Sequence, residues 1–289
     1  MKIAIITGGN EYERVTSLKS SEYIESRINF AEISRFLYPE DFELFLKQMN
    51  SFDLVIPVIH GHPAEDGYLQ AIFEKNNIGY LFSNSHVSKN CFNKTNAKEY
   101  ISKIDCGIPK TFLMKDGDLK FPLIAKPQEN GSSVGIYFIE KYEDLIKLNL
   151  PDDYLLEEYV RGTEYTVGVL DFNNKIFALP IMEVRKKGAI FNEREKTTSL
   201  SKDIEVFPEN LNQNLRIKLK KIARDIHSEF GIKNFSRTDF IVTDNQEIYF
   251  IEVNTIPGCS ENSFIPKMIE KEDLDFKDIL RYWIKKELR

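Results

Sequence analysis

The sequence predicts an α/β fold divided into two or three subdomains, and three observations lead to this prediction. Apolar runs typical of buried strands alternate with helical segments in the first third of the chain. A glycine- and serine-containing loop separates two strand-like runs in the middle, and a polar hairpin with a long amphipathic helix marks the last third. With 289 residues, 42% of them hydrophobic, the chain is too long for one small domain.

The first unit, residues 1–84, is predicted to form a parallel βαβ layer. Residues 2–6 form an apolar run that ends in a glycine pair, and residues 17–28 are helical in pattern. Residues 53–59 form a second buried-type strand, and residues 67–76 a second helix. The loops that follow parallel strands lie at one edge of the sheet, where ligands bind.

Two histidines, His60 and His62, follow the second predicted strand. A zinc site is one interpretation of this pair, but the spacing is weak support for it. The acidic residues 65–66 come next, and we expect them to offset the dipole at the start of the following helix.

The middle unit, residues 85–164, carries signals for phosphate binding. Residues 121–127 form an apolar strand that delivers Lys126, and the loop 128–133 follows it. A lysine at this position either reaches back to solvent or holds phosphate. Small residues and hydroxyls allow backbone N–H groups to approach an anion, although a plain hairpin turn is the alternative for the loop. Together the two features favour phosphate binding.

Two glutamates, Glu157 and Glu164, lie on either side of a short polar stretch at the end of this unit. Carboxylates beside adenosine would accept hydrogen bonds from ribose hydroxyls or from the adenine amino group. The alternative is an exposed charged turn, which we prefer for Glu158.

The third unit, residues 165–289, contains a predicted helix at 215–230 with apolar residues on one face, stopped by Gly231. Residues 184–204 are rich in charge and have little apolar periodicity. A long loop of this kind in a compact domain is usually functional, so we expect these residues to cover a site.

A β-hairpin is predicted where two apolar runs, residues 240–242 and 248–251, flank the polar residues 244–247. If those four polar residues are the loop, counting outward places Asp239 directly opposite Glu252. Directly opposed residues share a face of the sheet.

The same register places Arg237 opposite Asn254, so one face carries two carboxylates, an amide oxygen and a guanidinium. Carboxylates this close repel each other unless a cation lies between them, and hard oxygen ligands suit Mg²⁺. The alternative is a solvated polar face on an edge hairpin. A loop one residue shorter or longer would flip one strand and break the arrangement.

Composition excludes other classes of protein. The chain has 39 Lys and Arg against 45 Asp and Glu, a net charge of −6 without a basic block, which argues against nucleic acid binding. We expect no membrane span, because no apolar stretch is long enough, and no signal peptide. The cysteines Cys91, Cys106 and Cys259 lack metal-ligand spacing and are expected to be reduced thiols in a cytoplasmic protein.

Taken together, the motifs resemble the D-alanine–D-alanine ligase family of the ATP-grasp superfamily over nearly the whole chain. The matching residues are Gly8-Gly9, Glu13-Arg14, Ser17-Leu18, His60-Gly61, Glu65-Asp66-Gly67, Lys94, Lys126-Pro127, Gly131-Ser132-Ser133-Val134-Gly135, Glu157, Gly162, Glu164, Arg237-Thr238-Asp239, Glu252-Val253-Asn254-Thr255, Pro257-Gly258, Ser263 and Pro266. The resemblance implies an ATP-grasp fold with an N-terminal α/β subdomain (1–84), a central lid (85–164) and a C-terminal catalytic subdomain (165–289).

The resemblance also implies the site residues. ATP would be bound by Lys94, Lys126, Ser133, Glu157 and Glu164. Two Mg²⁺ ions, with Mn²⁺ as an alternative, would be held by Asp239, Glu252 and Asn254. The first amino acid would be held by Glu13 and Ser132, with His60 nearby, and the carboxylate of the second by Ser263 and Lys196. Arg237 and the Gly258 N–H would stabilise the oxyanion.

The implied reaction is ATP-dependent formation of D-alanyl-D-alanine through an acyl phosphate. Its product would serve as a peptidoglycan precursor, and the resemblance implies that the enzyme is a homodimer. Three departures from the family pattern bear on amino-acid specificity: His62-Pro63-Ala64, Thr197 after Lys196, and Cys259-Ser260-Glu261. They keep open a ligase that joins a different amino acid or a hydroxy acid. A nucleotide-binding regulator without catalysis is a third hypothesis.

Overall fold

The structure, a computed structural model, describes residues 1–113, 119–131, 134–185 and 205–288. These residues form three sheets and the helices around them. The elements in chain order are β1 (Lys2–Gly8), α1 (Arg14–Arg27), β2 (Glu32–Tyr38), α2 (Phe42–Gln48), a 3-10 turn (Met49–Ser51), β3 (Leu54–Val58), α3 (Tyr68–Lys75), α4 (Ser85–Phe92), α5 (Lys94–Ile101), β4 (Thr111–Phe112), β5 (Leu123–Pro127), β6 (Tyr137–Ile139), α6 (Tyr142–Lys147), β7 (Tyr154–Glu158), β8 (Thr163–Phe172), β9 (Lys175–Ala178), β10 (Met182–Val184), β11 (Glu205–Val206), α7 (Gln213–Phe230), β12 (Phe235–Val242), β13 (Ile248–Asn254), α8 (Phe264–Lys271) and α9 (Phe276–Glu287).

The N-terminal sheet is parallel, as predicted, with the order β2-β1-β3. Strands β1 and β3 are buried along almost their whole length, whereas the edge strand β2, which the sequence analysis missed, is mostly half-buried. The chain's last helix, α9, completes the same core, and its Trp283 is fully buried there. The two ends of the chain are therefore packed together.

The central sheet is antiparallel, with the order β4-β7-β5-β6. It has a small core of its own, built around Phe112, Leu123 and Leu156. Lys126 lies near the end of β5, as the sequence predicts, and its side chain is buried.

The C-terminal sheet is also antiparallel, with the order β11-β10-β8-β12-β13 and with β9 paired to β8. The predicted amphipathic helix is α7. It starts two residues earlier than expected, at Gln213, because the side chain of Asn212 caps it. Gly231 ends it in a left-handed conformation, φ 68°.

Helices α4 and α5 pack on the core of this C-terminal sheet, through Val87, Ala97 and Ile101. The expected subdomain limits 1–84, 85–164 and 165–289 stay a prediction. The packing places the first two helices of the second range, α4 and α5, beside the C-terminal sheet.

The predicted hairpin is present, but its loop is one residue shorter than expected. Thr243 N–H donates to the carbonyl of Glu247 at 3.0 Å, so the loop is residues 244–246, with Gln246 left-handed at φ 63°. This shift alone would have moved one strand to the other face. A bulge between Phe250 and Glu252 compensates, because it inserts Ile251 as an unpaired residue.

Beyond the bulge the register is the predicted one: Asp239 pairs with Glu252 and Arg237 with Asn254. The alternation of buried and half-buried residues along β13 changes phase at the bulge. The buried residues of this strand are Ile248 and Phe250 before the bulge and Val253 after it.

Candidate active site

One pocket brings together residues from widely separated parts of the chain. It is lined by Glu65 after the N-terminal sheet, by Lys94 and Gly131 around the central sheet, and by Glu252 and Asn254 of β13. Four of these five belong to motifs for which the sequence predicts chemistry, and Glu65 to a predicted helix start. The fold therefore places the separate motifs around one space.

The polar face of the hairpin is organised by Arg237. Its Nε and Nη2 donate to the two carboxylate oxygens of Asp239 at 3.0 and 2.8 Å, and Nη2 lies 3.8 Å from Glu252 Oε1. Burial would lower the pKa of Arg237, but Asp239 and Glu252 outweigh it and raise the pKa above its ordinary value. The ring of Phe264 lies 5.5 Å below the guanidinium.

The predicted metal ligands share this face and have the donor chemistry that Mg²⁺ requires. Asp239 is buried and also accepts a hydrogen bond from Thr166 Oγ1 at 2.5 Å. Glu252 has a side chain 36% exposed, and Asn254 Oδ1 accepts from the N–H of Ile256 at 2.9 Å. Two opposed carboxylates and a nearby amide oxygen fit a hard divalent cation.

Lys126 lies in a buried cluster of three charges. Its Nζ is 2.7 Å from Glu157 Oε2, and Lys98 Nζ is 2.8 Å from Glu157 Oε1. Burial alone would raise the pKa of Glu157, but the two lysines hold it below its ordinary value. The cluster carries a net positive charge, which suits a polyphosphate.

Lys98 is a member of this cluster that the sequence does not predict. Its Nζ also donates to the carbonyl of Pro109 at 3.1 Å and to Thr111 Oγ1 at 2.6 Å, and burial lowers its pKa. One signal was available, because Lys98 is four residues after Lys94, and this spacing places two side chains on the same face of a helix.

Lys94 begins helix α5, where the side chain of Asn93 caps the helix. Its Nζ donates to the carbonyl of Asn130 at 2.7 Å, and its backbone N–H to the carbonyl of Gln128 at 3.1 Å. Burial lowers the pKa of Lys94. The lysine therefore lies against the loop in which the sequence predicts phosphate binding.

Glu13 is 3% exposed and lies against that loop from the other side. A Cβ added to Gly131 would lie 2.9 Å from Glu13 Oε1, and one added to Gly61 would overlap Glu13 Oε2. The carboxylate is thus enclosed by two glycines, one from the N-terminal unit and one from the central unit.

The two histidines do not form a pair. His60 is 5% exposed and contacts Ser20 and Ile256, whereas the side chain of His62 is 57% exposed and bonds to Asp66 at 2.6 Å. No cluster of three or more His, Cys, Asp or Glu suited to a metal occurs in the part of the chain that the structure describes.

Ser263 lies immediately before helix α8, and its Oγ is 2.7 Å from Ser260 Oγ and accepts from the Ser260 N–H at 3.1 Å. A Cβ added to Gly258 would lie 3.0 Å from Ser263 Oγ. Gly258 and Ser263, predicted to serve the oxyanion and the second substrate, are therefore neighbours. Glu164 lies on β8, between Val184 and Ile241 of the adjacent strands.

Four positions on which predictions fall, Ser132, Ser133, Lys196 and Thr197, lie outside the described residues, as does most of the predicted covering loop 184–204. The strands on either side of that loop pair with each other, Glu183 with Val206.

A family model described as D-ala D-ala ligase C-terminus matches residues 101–285. A D-alanine–D-alanine ligase from Thermotoga petrophila is 31% identical and covers 99% of this chain and 97% of its own length. The crystal structure of D-alanine–D-alanine ligase from Bacillus anthracis complexed with ATP has a TM-score of 0.81 at 24% identity, covering 100% of this chain and 97% of that one. VanG D-Ala:D-Ser ligase from Enterococcus faecalis has a TM-score of 0.80 at 25% identity, with 99% of each chain covered.

Proposed function

Because the chain belongs to the D-alanine–D-alanine ligase family, we propose that it joins two D-alanine molecules at the expense of ATP. The fold and the class of enzyme, an ATP-dependent ligase, agree with the expectations from the sequence. The observation that carries the proposed reaction is the pocket in which Lys94 lies with the oxygen ligands Glu252 and Asn254. A phosphate-binding cation and a site for a divalent metal thus share one space.

In the first step, the carboxylate of one D-alanine attacks the γ-phosphate of ATP, the bond to ADP breaks, and an acyl phosphate forms. Lys94 and Lys126 bind and neutralise phosphate oxygens, and the buried Glu157 keeps Lys126 oriented at 2.7 Å. Asp239, Glu252 and Asn254 would hold Mg²⁺, which when bound neutralises charge on the transferred phosphoryl group.

In the second step, the amine of the other D-alanine attacks the acyl carbon, and inorganic phosphate leaves with its bridging oxygen. A negative oxygen develops on that carbon. Arg237, fixed by Asp239, and the backbone N–H of Gly258 are the donors available to stabilise it. Loss of one such donor typically costs about 3–4 kcal/mol of transition-state stabilisation.

The amino acids are bound at the two ends of this site. Glu13, buried between Gly61 and Gly131, receives the ammonium group of the first D-alanine. Ser263, beside Gly258, receives the carboxylate of the second. Ser132, Ser133 and Lys196 keep the roles that the family pattern assigns to them, and residues 184–204 exclude water from the acyl phosphate.

A second candidate is a ligase of this family with a different acceptor. The observation that favours it is Glu261, an exposed acidic residue close to Ser263, where a small neutral residue is expected. A relative with the same fold is a D-Ala:D-Ser ligase. A few contacts in a pocket are enough to change acceptor specificity.

We place the reaction in the cytoplasm, for peptidoglycan precursors, in a homodimer that uses Mg²⁺ or Mn²⁺. Within the described ranges no helix has the length and apolar character needed to span a bilayer, and the three cysteines are free thiols. Small molecules, rather than nucleic acid or membrane, are the expected partners.

The test is phosphate release from Mg²⁺-ATP with D-alanine, D-serine, D-lactate and L-alanine, singly and in pairs, with products identified by mass. Dipeptide from D-alanine alone supports the proposal. Turnover only with a mixed pair supports the second candidate. Tight ATP binding without turnover in any mixture would show a regulatory protein instead.

A further inference from the structure

A buried network of hydrogen bonds surrounds His60 and uses both of its ring nitrogens. Nδ1 lies 2.9 Å from the carbonyl oxygen of Ile256, and Nε2 lies 3.1 Å from Ser20 Oγ. Ser20 Oγ in turn accepts from the backbone N–H of Cys259 at 3.1 Å. Ser20 is fully buried, and His60 and Cys259 nearly so.

The direction of these bonds follows from the chemistry of the partners. A carbonyl oxygen only accepts, so Nδ1 of His60 carries the hydrogen and donates to Ile256. Nε2 of the neutral ring then accepts, and the Ser20 hydroxyl donates to it. The carboxylate Oε1 of Glu65 lies 3.6 Å from Nδ1 and favours a hydrogen on that nitrogen.

The backbone of His60 is fixed as well. Its N–H donates to Ser17 Oγ at 3.0 Å, and Ser17 Oγ donates to the carbonyl of Glu13 at 3.1 Å. Helix α1 therefore holds His60 from two positions about one turn apart, with Ser17 at its backbone N–H and Ser20 at its imidazole.

The other end of the network is the turn that contains Gly258. Ile256, two residues before the glycine, is bonded through its carbonyl, and Cys259, directly after it, through its N–H. Ile256, Pro257 and Cys259 are buried, whereas Gly258 is partly exposed. The turn is thus anchored on both sides of Gly258, which is the partly exposed residue of the four.

We propose that Ser20 and His60 are positioning residues that hold the 256–259 turn, so that the N–H of Gly258 is aimed at the oxygen that becomes negative on the acyl carbon during the second step. Neither side chain has to touch a substrate for this role. The inference rests on the proposed function, because it gives a use to the Gly258 N–H in that reaction. It goes beyond that function because it proposes that helix α1 fixes the position of the Gly258 N–H.

The kinetic test compares Ser20→Ala with Ser21→Ala. Both serines are buried on α1, but among the described residues Ser21 Oγ bonds only within its own helix, to the carbonyl of Leu18 at 2.8 Å. Phosphate and dipeptide are measured together. For Ser20→Ala we expect kcat for dipeptide formation to fall about tenfold to a hundredfold, with the KM for ATP unchanged and more than one phosphate released per dipeptide.

The result that overturns the inference is a Ser20→Ala enzyme that matches Ser21→Ala in kcat and in the ratio of phosphate to dipeptide. A Ser20→Ala enzyme in which kcat falls only together with ATP binding and thermal stability also overturns it, since that outcome means general loss of structure. A wild-type chain that forms no dipeptide overturns the proposed function itself, and this is a separate observation.

A second measurement does not depend on turnover. The chain has 14 glycines, so a spectrum of protein labelled with ¹⁵N-glycine is simple, and Gly258→Ala identifies the Gly258 amide signal. We expect Ser20→Ala to shift or broaden this signal and Ser21→Ala to leave it in place. An unchanged Gly258 signal in Ser20→Ala contradicts the role of the network in holding the turn.

Discussion

Glu157 lies between two lysines, with Lys126 Nζ 2.7 Å from one carboxylate oxygen and Lys98 Nζ 2.8 Å from the other. The carboxylate is 3% exposed and cannot turn toward solvent. Because each oxygen has its own cation, the position of Lys126 depends on Lys98, which is not itself a predicted ligand of ATP. This relationship gives a prediction about nucleotide binding.

Replacing Lys98 by Met removes one of the two cations and leaves Glu157 to rotate toward Lys126, which then binds phosphate less well. We expect the KM for ATP to rise about tenfold, equivalent to about 1.4 kcal/mol, while the KM for the amino acids stays unchanged. Steady-state kinetics with each substrate varied in turn measures both. Lys103→Met is the control, because Lys103 forms an exposed ion pair with Glu229. An equal rise in both KM values would contradict the prediction.

The proposed metal site gives a second prediction. Glu252→Gln keeps the size of the side chain but removes one of the two charges opposed across the hairpin. The Mg²⁺ concentration that gives half-maximal velocity is expected to rise about tenfold, since carboxylate charge sets the affinity for hard cations. Velocity is measured against Mg²⁺ at fixed ATP, with Glu247→Gln at the exposed end of the hairpin as the control. Identical Mg²⁺ curves for the two variants would show that Glu252 is not a ligand.

The burial of His227 leads us to expect that the free energy of unfolding depends on pH. His227 is fully buried in the last turn of α7, bonded through Nδ1 to Ser236, and burial lowers its pKa to about 4. The unfolded chain takes up a proton on this residue below about pH 6.5, and the folded chain does so only near pH 4. Stability is therefore lost as the pH falls through this window, by up to about 3 kcal/mol.

Urea unfolding at pH 7.5, 6 and 4.5 tests this dependence, with His227→Gln as the comparison. Whatever its stability at neutral pH, we expect His227→Gln to lose less free energy of unfolding on acidification than the wild type, because glutamine takes up no proton. If the wild type and His227→Gln lose the same free energy of unfolding between pH 7.5 and 4.5, the buried histidine does not control this pH dependence.

Gly162, one of the residues that carry the family resemblance, has a structural reason to be glycine. A Cβ at this position would overlap the backbone carbonyl oxygen of Val242, which belongs to the neighbouring strand β12. We expect Gly162→Ala to lower the free energy of unfolding by about 1–3 kcal/mol or more. Gly79→Ala, whose Cβ would meet its nearest atom at 3.5 Å, is expected to be close to neutral. Equal effects in thermal unfolding would contradict this account.

The hairpin shows what the sequence could and could not predict. The pairing of Asp239 with Glu252 was predicted correctly, although the predicted loop was one residue too long, because the bulge at Ile251 restores the register. Apolar alternation locates the strands, but a bulge depends on how both faces of β13 pack, and a single sequence carries no clear mark of that. The shorter loop and the bulge compensate for each other, so the two carboxylates still face each other.

Long-range packing was equally hard to predict. The edge strand β2 lacks a continuous apolar run, and β8, the centre of the C-terminal sheet, begins in the charged stretch around Glu164. Lys98 acquires a role only because α5 packs beside β7. The network of His60 likewise joins residues 239 positions apart, Ser20 and Cys259. The motif residues themselves were recognisable because their side-chain chemistry is local.

The central claim is that the carboxylate of the first amino acid becomes an acyl phosphate. The most direct test uses D-alanine labelled with ¹⁸O in its carboxylate, with Mg²⁺-ATP, and measures the mass of the released phosphate. Attack of the carboxylate on the γ-phosphate predicts one ¹⁸O atom in each phosphate that accompanies a dipeptide. Dipeptide accompanied by unlabelled phosphate would contradict the claim, because the carboxylate oxygen would then never have been bonded to phosphorus.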